Sequence, residues 1–190
     1  GFVRDILLRR NTSDIDIAVA ADAMDFARSV ADYLGGKYVL LDESNSIARV
    51  VLPAGTSPTG NQLELDFSTL RRNIKNDLSQ RDFTIDAMAI ELSENTSFRL
   101  SGIIDPFGGY SDIQKKTIRA VNDSVFKSDP ARLLRAARLA AGFGFNIDPS
   151  TEALIRRDCA VVNTVAGERV REELLQLLDL PQASHSISYL

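Results

Sequence analysis

The sequence has little of what several common kinds of protein require: its 190 residues include one cysteine, one histidine and no tryptophan. A single cysteine, Cys159, excludes an intrachain disulfide framework and suits a reducing compartment. We therefore expect a cytoplasmic protein and interpret Cys159 as a helix packing residue. Because His185 is the one histidine, the sequence disfavours a Ser/His or Cys/His catalytic pair and a histidine-rich zinc site. No run approaches the roughly 18 to 20 apolar residues of a membrane span, and no secretory signal opens the chain.

The charges are unevenly distributed, although the formal net charge of −4 argues at face value against a nucleic-acid partner. Acidic residues are enriched earlier in the chain, whereas arginines crowd its last third: Arg132, Arg135, Arg138, Arg156, Arg157, Arg169 and Arg171. A local basic surface on an acidic protein is still able to hold phosphate groups. The charge pattern therefore leaves phosphate-bearing partners open.

The pattern of apolar residues predicts an α+β fold in two parts. Strands and helices alternate up to Pro106-Phe-Gly-Gly109, and from about Ser124 onward helix follows helix. We predict an α/β domain over residues 1–122 and an all-helical domain over residues 123–190. Residues 53–61 have the composition of a flexible loop. Both ends of the chain look cut, so we expect further sequence beyond them.

Two aspartates share one face of the first predicted strand. In Asn11-Thr-Ser-Asp-Ile-Asp-Ile-Ala-Val-Ala20, apolar residues alternate with Asp14 and Asp16, and side chains two residues apart on a strand point the same way. Neighbouring ionised carboxylates repel, and a divalent cation between them would relieve the repulsion. The alternative is a solvated strand edge whose polar face is acidic.

A third carboxylate and a phosphate-binding turn are candidates to accompany this pair. Asp66 lies on a predicted strand, residues 62–67, in which polar and apolar side chains strictly alternate. Glu64 is on the same polar face. Three acids on adjacent strands match two-metal phosphoryl transfer, because Mg²⁺ takes a few carboxylates plus substrate phosphates. Gly1 and Arg4, followed by a helical turn, offer donors to a polyphosphate. For Asp66 by itself, a solvent-facing strand acid is the alternative.

The stretch Asp129-Pro-Ala-Arg-Leu-Leu-Arg-Ala-Ala-Arg138 predicts a helix that starts at Asp129-Pro130. Its acid and its arginines recur every three residues, so that they form a stripe of roughly 13 Å, comparable with an extended nucleoside triphosphate. Asp129 accepts and Arg132 donates, and the pair is suited to reading the edge of a base while the later arginines hold phosphates. A solvated cationic face is the alternative.

Together these motifs resemble the class II nucleotidyltransferases of the polymerase-β superfamily, the group of tRNA CCA-adding enzymes and bacterial poly(A) polymerases. Gly1-Phe-Val-Arg-Asp5 with Asp14-Ile-Asp16 resembles the family's opening motif without its first glycine. The other stretches are similar to the second, hinge, base-reading and neck motifs: Gln80-Arg-Asp-Phe-Thr-Ile-Asp-Ala87, Asp105-Pro-Phe-Gly-Gly-Tyr-Ser-Asp112, Ser128-Asp-Pro-Ala-Arg132 and Glu168-Arg-Val-Arg-Glu-Glu173. The five motifs occur in the family's order and cover nearly the whole chain.

The resemblance implies a polymerase-β-like head, with a small, mostly antiparallel sheet and helices, followed by an all-helical neck. It implies that Asp14 and Asp16 hold Mg²⁺ and that Asp66 is the third catalytic carboxylate, which helps to activate the RNA 3′-hydroxyl. The residues implied to bind the nucleotide are Gly1, Arg4, Arg81, Asp82, Asp129, Arg132, Arg135 and Arg138.

Within that set the resemblance implies separate roles. Gly1, Arg4, Arg135 and Arg138 would bind the triphosphate; Arg81 would contact the nucleotide, and Asp82 would lie near the ribose. Asp129 and Arg132 would pair with the Watson–Crick edge of ATP or CTP, so that protein side chains act as the template. This chain departs from the family at Gln80, Asp86 and Ser128, which stand where the family has arginine, asparagine and glutamate. The last departure bears on how Arg132 is positioned and therefore on base choice.

The implied activity is template-independent addition of CMP, AMP or both, from CTP and ATP, to the 3′ end of tRNA, with pyrophosphate as product. A firm grip on RNA would need body and tail domains that lie beyond residue 190. A poly(A) polymerase of the same family is the nearest alternative. A non-catalytic nucleotide-binding or RNA-binding module and a small-molecule nucleotidyltransferase are alternatives of other classes.

Overall fold

A computed structural model describes residues 1–56, 60, 62–93 and 99–180, and the chain forms two compact units, Gly1–Leu78 and Ser79–Leu190. The first unit contains α1 (Phe2–Leu7), β1 (Asp14–Val19), α2 (Ala23–Leu34), β2 (Lys37–Asp42), β3 (Ile47–Leu52), β4 (Leu63–Thr69) and α3 (Ile74–Leu78). The second contains β5 (Ala89–Ile90), β6 (Ile103–Ile104), α4 (Gly109–Gln114), β7 (Thr117–Ile118), α5 (Val125–Ser128), α6 (Arg132–Phe143), β8 (Asn146–Ile147), α7 (Pro149–Asp158) and α8 (Gly167–Leu178). Short 3₁₀ helices in the second unit lie at Thr84–Asp86, Leu100–Gly102 and Cys159–Thr164.

A four-stranded sheet in the order β1-β4-β3-β2 forms the centre of the first unit. β1 and β4 run parallel, and the other neighbouring strands are antiparallel. The predicted α+β class with a small, mostly antiparallel sheet is therefore confirmed. One face of the sheet carries the apolar core, whose strand residues include Ile15, Ile17, Ala48, Val50, Leu52, Leu65 and Phe67. Because side chains alternate along a strand, the residues between them point to the opposite face.

Helix α2 covers the apolar face with its smallest side chains. It buries alanines spaced four residues apart: Ala23, Ala27 and Ala31. This spacing keeps them on one side of the helix. Asp22 caps the first turn by accepting hydrogen bonds from the backbone N–H groups of Met24 and Asp25, a cap typically worth about 1 kcal/mol. The helix ends at Gly35, whose φ of 66° is left-handed and favours glycine. The predicted helix and its glycine stop are confirmed.

The second unit consists mainly of helices, with two short strand pairs. β5 and β6 are antiparallel, whereas β7 and β8 are parallel. Its fully buried side chains include Phe83, Ile85, Ile118, Val125 and Phe126. The rings of Phe83 and Phe126 are 6.4 Å apart, so the 80–87 motif is anchored in the core of this unit. Over the residues described, no helix is long and apolar enough to cross a membrane.

Some local expectations are wrong. The helix predicted to start at Asp129-Pro130 begins at Arg132, and Asp129 is extended, with φ −150° and ψ 98°, because a residue before proline is disfavoured from helical geometry. Cys159 is exposed and not a packing residue, since it lies just after α7 ends. The segment expected to be all-helical includes the short strand β8. Parts of the predicted 53–61 loop lie outside the described residues, and the domain boundary near residue 122 stays a prediction.

Gly109, the first residue of α4, packs directly against backbone. A Cβ here would lie 2.1 Å from the carbonyl oxygen of Thr84 and 2.8 Å from its carbonyl carbon. We expect Gly109→Ala to lower the free energy of unfolding by roughly 2–3 kcal/mol, as measured by chemical denaturation. The matched control is Gly102→Ala, because a Cβ there meets no heavy atom of the described residues within 4 Å beyond its chain neighbours. Equal stability of the two variants would contradict the expectation.

Candidate active site

The polar face of the sheet carries four carboxylates on two parallel strands. The register of β1 and β4 sets Asp14 beside Glu64 and Asp16 beside Asp66. The residues between them, such as Ile15, pack on the core under α2, so the four acids share the opposite face. The structure thus brings together the three aspartates that the sequence singled out and adds Glu64 to them.

Arg49 on β3 is paired with two of these carboxylates. Its register partner on β4 is Asp66, to which Nε donates a hydrogen bond at 2.6 Å and Nη2 another at 2.7 Å. Its third nitrogen, Nη1, donates to the Glu64 carboxylate. The hydrogen bond to Asp66 raises the pKa of Arg49. The guanidinium of Arg49, whose three nitrogens form a planar fork, therefore binds two acids on the same face of one strand.

Asp14 is surrounded by like charge on this face. Partial burial raises the pKa of Asp14, the carboxylates of Asp16 and Asp66 raise it further, and Arg49 opposes them. The net direction is upward, so the ionised form is disfavoured relative to a free aspartate. Carboxylates with perturbed pKa values of this kind are concentrated at functional sites.

We expect Asp14→Asn to stabilise the protein in the absence of divalent cations. A carboxyl whose pKa is higher in the folded than in the unfolded state favours folding only at low pH, and that contribution is lost as the pH rises through the folded pKa. At pH 7 the ionised Asp14 therefore opposes folding. Because Asp14 is only partly buried and solvent screens its charge, we expect the Tm to rise by only about 1–2 °C, as measured in EDTA. Asp32→Asn, at an exposed position of α2, is the control, and a lower Tm for Asp14→Asn would contradict the charge-crowding argument.

Gly1 and Arg4 lie at the start of the chain in and beside the short helix α1. Gly1 is the N-cap and Arg4 is inside the helix. Arg4 donates to the Asp5 carboxylate from Nε at 2.9 Å and from Nη2 at 3.0 Å. The two side chains are 11% and 13% exposed. A phosphate that binds Arg4 would therefore share these donors with Asp5.

In the second unit, Arg135 joins the 80–87 motif to α6. Its Nε donates to Asp82 at 2.5 Å and its Nη2 to Asp86 at 3.5 Å, and both aspartates are buried. Burial alone lowers the pKa of Arg135, but Asp82, Asp86 and Glu173 raise it by more, so the net shift is upward. Asp86, one of the departures from the family motif, thus places a second carboxylate on Arg135. Arg81 precedes Asp82 and is half-buried.

The two residues expected to read a base are each held by neighbours. Nη1 and Nη2 of Arg169 donate to the two carboxylate oxygens of Asp129, both at 2.9 Å, and this pairing lowers the pKa of Asp129. Arg132 donates from Nη2 to the Gln80 carbonyl oxygen at 2.7 Å and from Nη1 to Ser128 Oγ at 3.2 Å. Ser128, which stands where the family has glutamate, therefore still contacts Arg132.

Arg138 pairs with α8. Its Nε donates to Glu173 Oε2 at 2.5 Å and its Nη2 to Oε1 at 3.4 Å, and each side chain is 16% exposed. The predicted three-residue recurrence is present on α6 for Arg132, Arg135 and Arg138, whereas Asp129 lies ahead of the helix. A nucleotide phosphate that binds these arginines would share them with carboxylates of the same unit.

Sequence reasoning missed Arg49 and did not single out Arg169 as a partner of Asp129. The alternation of β3, Ile47–Leu52, is a signal that could have placed Arg49 on the polar face. The carboxylates that it meets follow only from strand register. Arg169 lies within the neck motif, but its partner is 40 residues away in sequence, so no local pattern identifies it.

The chemistry of the acidic face fits a divalent cation. Carboxylate oxygens are hard ligands, and Mg²⁺ usually takes one or two of them and completes its shell with water and substrate phosphates. Within the described ranges no group of three or more His, Cys, Asp or Glu side chains is arranged to hold a metal ion by itself. Asp14 and Asp16 lie two residues apart on β1 and share this face, so they are the residues that would hold such an ion.

Two family models match the chain. The model of the poly A polymerase head domain matches residues 1–119. The model described as the probable RNA and SrmB-binding site of polymerase A matches residues 144–190. Together they match all of the first compact unit and the two ends of the second, with residues 120–143 between the two matches.

Several tRNA nucleotidyltransferases are similar to this chain over nearly its whole length. A CC-adding tRNA nucleotidyltransferase of Geobacter sulfurreducens is 42% identical over 184 residues, which are 96% of this chain and 40% of that protein. An A-adding tRNA nucleotidyltransferase of the same organism is 34% identical over 188 residues, covering 94% of this chain and 21% of that protein. The solved structure of a Thermotoga maritima CCA-adding enzyme in complex with tRNA matches with a TM-score of 0.86 and 38% identity, covering 99% of this chain and 44% of that one.

The chain spans less than half the length of each of these proteins. Its fold, from the four-stranded sheet to α8, nevertheless aligns with the solved enzyme over almost every residue. The match to the head-domain model extends over more than half of the chain and includes both strands of the acidic face. The chain belongs to the poly A polymerase head-domain family, among whose relatives are tRNA nucleotidyltransferases.

Proposed function

We propose that the protein carrying this chain is a template-independent RNA nucleotidyltransferase that adds CMP, AMP or both, from CTP and ATP, to the 3′ end of tRNA. The observation that carries the proposal is the register of β1 and β4, which puts Asp14, Asp16 and Asp66 on one polar face. A core-packing or binding-only role gives no reason to crowd these acids together. The CC-adding and A-adding activities in the names of the relatives support the choice of substrates.

In the proposed reaction, the 3′-hydroxyl oxygen of the RNA bonds to the α-phosphorus of the nucleotide. The bond from that phosphorus to the oxygen bridging to the β-phosphate breaks, and pyrophosphate leaves. Asp66 accepts a hydrogen bond from the 3′-hydroxyl and helps to activate it by taking up its proton as the O–H bond breaks. Asp14 and Asp16 would hold the divalent metal that this family generally uses, and we propose Mg²⁺. When bound, the ion supplies neutralisation of the triphosphate and activation of the attacking hydroxyl.

The remaining roles are assigned to the nucleotide. Asp129 and Arg132 offer an acceptor and a donor to the Watson–Crick edge of the base. Arg81 contacts the nucleotide, and Asp82 lies near its ribose. The donors proposed for the triphosphate are Gly1, Arg4, Arg135 and Arg138.

Poly(A) addition is the second candidate, because the matching family model is that of a poly A polymerase head. The two activities share the acidic face and the phosphoryl-transfer chemistry. They differ in the acceptor and in how many nucleotides are added. Under either activity we propose a head over residues 1–122, a neck over residues 123–190, RNA-gripping domains beyond them, and a cytoplasmic location.

The deciding experiment uses full-length protein and tRNA transcripts that end before, within or after CCA. Each transcript is incubated with one radiolabelled nucleoside triphosphate at a time in Mg²⁺, and products are resolved at single-nucleotide length. Addition of one or two C residues, or of a single A, supports the tRNA assignment and identifies its type. A ladder of many A residues on any RNA supports poly(A) addition. No incorporation with any nucleotide would overturn the proposed function.

A further inference from the structure

The acidic face contains an ion pair of defined geometry between Arg49 and Asp66. Arg49 approaches Asp66 side-on, with Nε and Nη2 on separate carboxylate oxygens at 2.6 Å and 2.7 Å. Its remaining nitrogen is bonded to Glu64. Two parallel N–H···O bonds fix the plane of a carboxylate as well as its position. Asp66 is therefore held in one orientation, and Glu64 anchors the guanidinium that holds it.

The location of the pair is unlike that of an ordinary surface salt bridge. The side chains of Arg49, Asp66 and Glu64 are 29%, 18% and 35% exposed. They lie on the face opposite the hydrophobic core, where the pair contributes nothing to core packing. The orienting contact thus acts on the acidic face itself.

The fork leaves Asp66 able to act. A carboxylate has about four lone-pair sites on its two oxygens, and Arg49 occupies one site on each. One lone-pair site on each oxygen therefore remains outside the two hydrogen bonds from Arg49. On its other side Asp66 adjoins Asp16 of β1.

We propose that Arg49 is a positioning residue for the reaction, which fixes the orientation of the catalytic carboxylate Asp66 with Glu64 as its second anchor. The inference rests on the proposed function, because it assigns Asp66 to the attacking hydroxyl. Without the fork, Asp66 rotates about its side-chain bonds and turns away from its neighbours Asp16 and Glu64. The nucleotide still binds, because Arg49 is not among its donors, but the hydroxyl is aligned in a smaller fraction of complexes.

The experiment compares Arg49→Ala, Arg49→Lys and Arg28→Ala in full-length protein by steady-state nucleotide addition to the tRNA transcript that the wild type extends. Because misplacing a reacting group by about 1 Å costs up to about 10²-fold, we expect Arg49→Ala to lower kcat by roughly 30- to 100-fold. The KM for the nucleotide should stay within about twofold of the wild-type value, since the substitution removes no contact that binds the nucleotide in the ground state. Arg28 forms an exposed pair with Asp25 on α2 and is the matched control.

Two further measurements separate positioning from a general structural effect. Added methylguanidinium should raise the kcat of Arg49→Ala and leave those of the wild type and of Arg28→Ala unchanged. The dissociation constant of CTP, measured by calorimetry, should be the same in Arg49→Ala and the wild type. Arg49→Lys keeps the charge but not the bidentate geometry. It should therefore fold, and its kcat should still lie below that of the wild type. It therefore tests the inference even if Arg49→Ala does not fold.

The outcomes distinguish the inference from the function on which it rests. A wild-type kcat in Arg49→Lys or in folded Arg49→Ala, in a protein that loses activity on Asp14→Asn, overturns the positioning role alone. A raised KM or CTP dissociation constant with unchanged kcat also overturns it, because Arg49 would then be a binding residue. A wild-type protein that adds no nucleotide overturns the proposed function and the positioning role with it.

Discussion

Substitution of Asp14 or Asp16 by asparagine should abolish nucleotide addition while leaving the protein folded. Both residues lie on the exposed polar face of β1, so neither change creates a cavity. Loss of a group that stabilises transition-state charge typically costs 10² to 10³ in rate, and we expect a fall in kcat of roughly 10³-fold. The measurement is single-turnover incorporation of radiolabelled nucleotide onto the preferred tRNA transcript.

The reason for so large an effect is the open character of the proposed metal site. Mg²⁺ is usually held by only one or two carboxylates, with the rest of its shell from phosphates and water. Removing either protein ligand therefore removes a large share of what the protein contributes. Asparagine preserves shape and one oxygen but not the charge, so the comparison isolates the electrostatic part.

The control separates loss of chemistry from loss of folding. Asp14→Asn should be inactive and at least as stable as the wild type in EDTA, in keeping with the raised pKa of Asp14. Asp32→Asn, at an exposed position of α2, should retain full activity. Incorporation at the wild-type rate by both Asp14→Asn and Asp16→Asn would rule out their assignment as metal ligands.

The second large effect is expected on base choice. Arg132→Ala should reduce discrimination between the preferred nucleotide and its competitors. A good bidentate contact to a base edge is worth about 1–3 kcal/mol of discrimination, so we expect the ratio of kcat/KM values to fall by roughly 10- to 100-fold. The overall rate with the preferred nucleotide should fall as well, because the base is held less firmly.

The contacts of Arg132 are consistent with its proposed base-reading role. Its guanidinium is held by the Gln80 carbonyl oxygen and by Ser128 Oγ, and its neighbour Asp129 is fixed by Arg169. Two groups fixed in this way are pre-organised, and little conformational entropy is lost when a base binds. Removing Arg169 should therefore blur base choice in the same direction as removing Arg132, and by less.

The measurement is competition among the four nucleoside triphosphates on one tRNA transcript. Arg156→Ala is the matched control, since Arg156 forms an exposed pair with Glu152. Arg132→Lys distinguishes a planar fork from a point charge, because lysine lacks bidentate geometry. Unchanged nucleotide preference in Arg132→Ala would refute the template role of Arg132 and leave the metal assignment standing.

The sequence by itself determined the local structure and the chemistry of one face of the sheet. Alternation of apolar residues with Asp14 and Asp16 is a property of neighbours two residues apart, so it identifies both the strand and the side on which the acids lie. Helix α2 was equally accessible, because its cap at Asp22 and its stop at Gly35 act within a turn of the chain. Motif order was sufficient to indicate the family.

The tertiary structure decided which of these groups meet. Asp16 lies beside Asp66 only because β1 pairs with a strand some 50 residues later, and that register is set by packing the whole apolar face under α2. The fork of Arg49 on Asp66 depends on the pairing of β3 with β4 in that sheet, and the pairing of Arg169 with Asp129 depends on packing within the second unit. No short stretch of sequence contains both members of either pair. Residue type and spacing therefore determined the kind of chemistry, and strand register and helix packing decided which side chains hold the reacting groups in place.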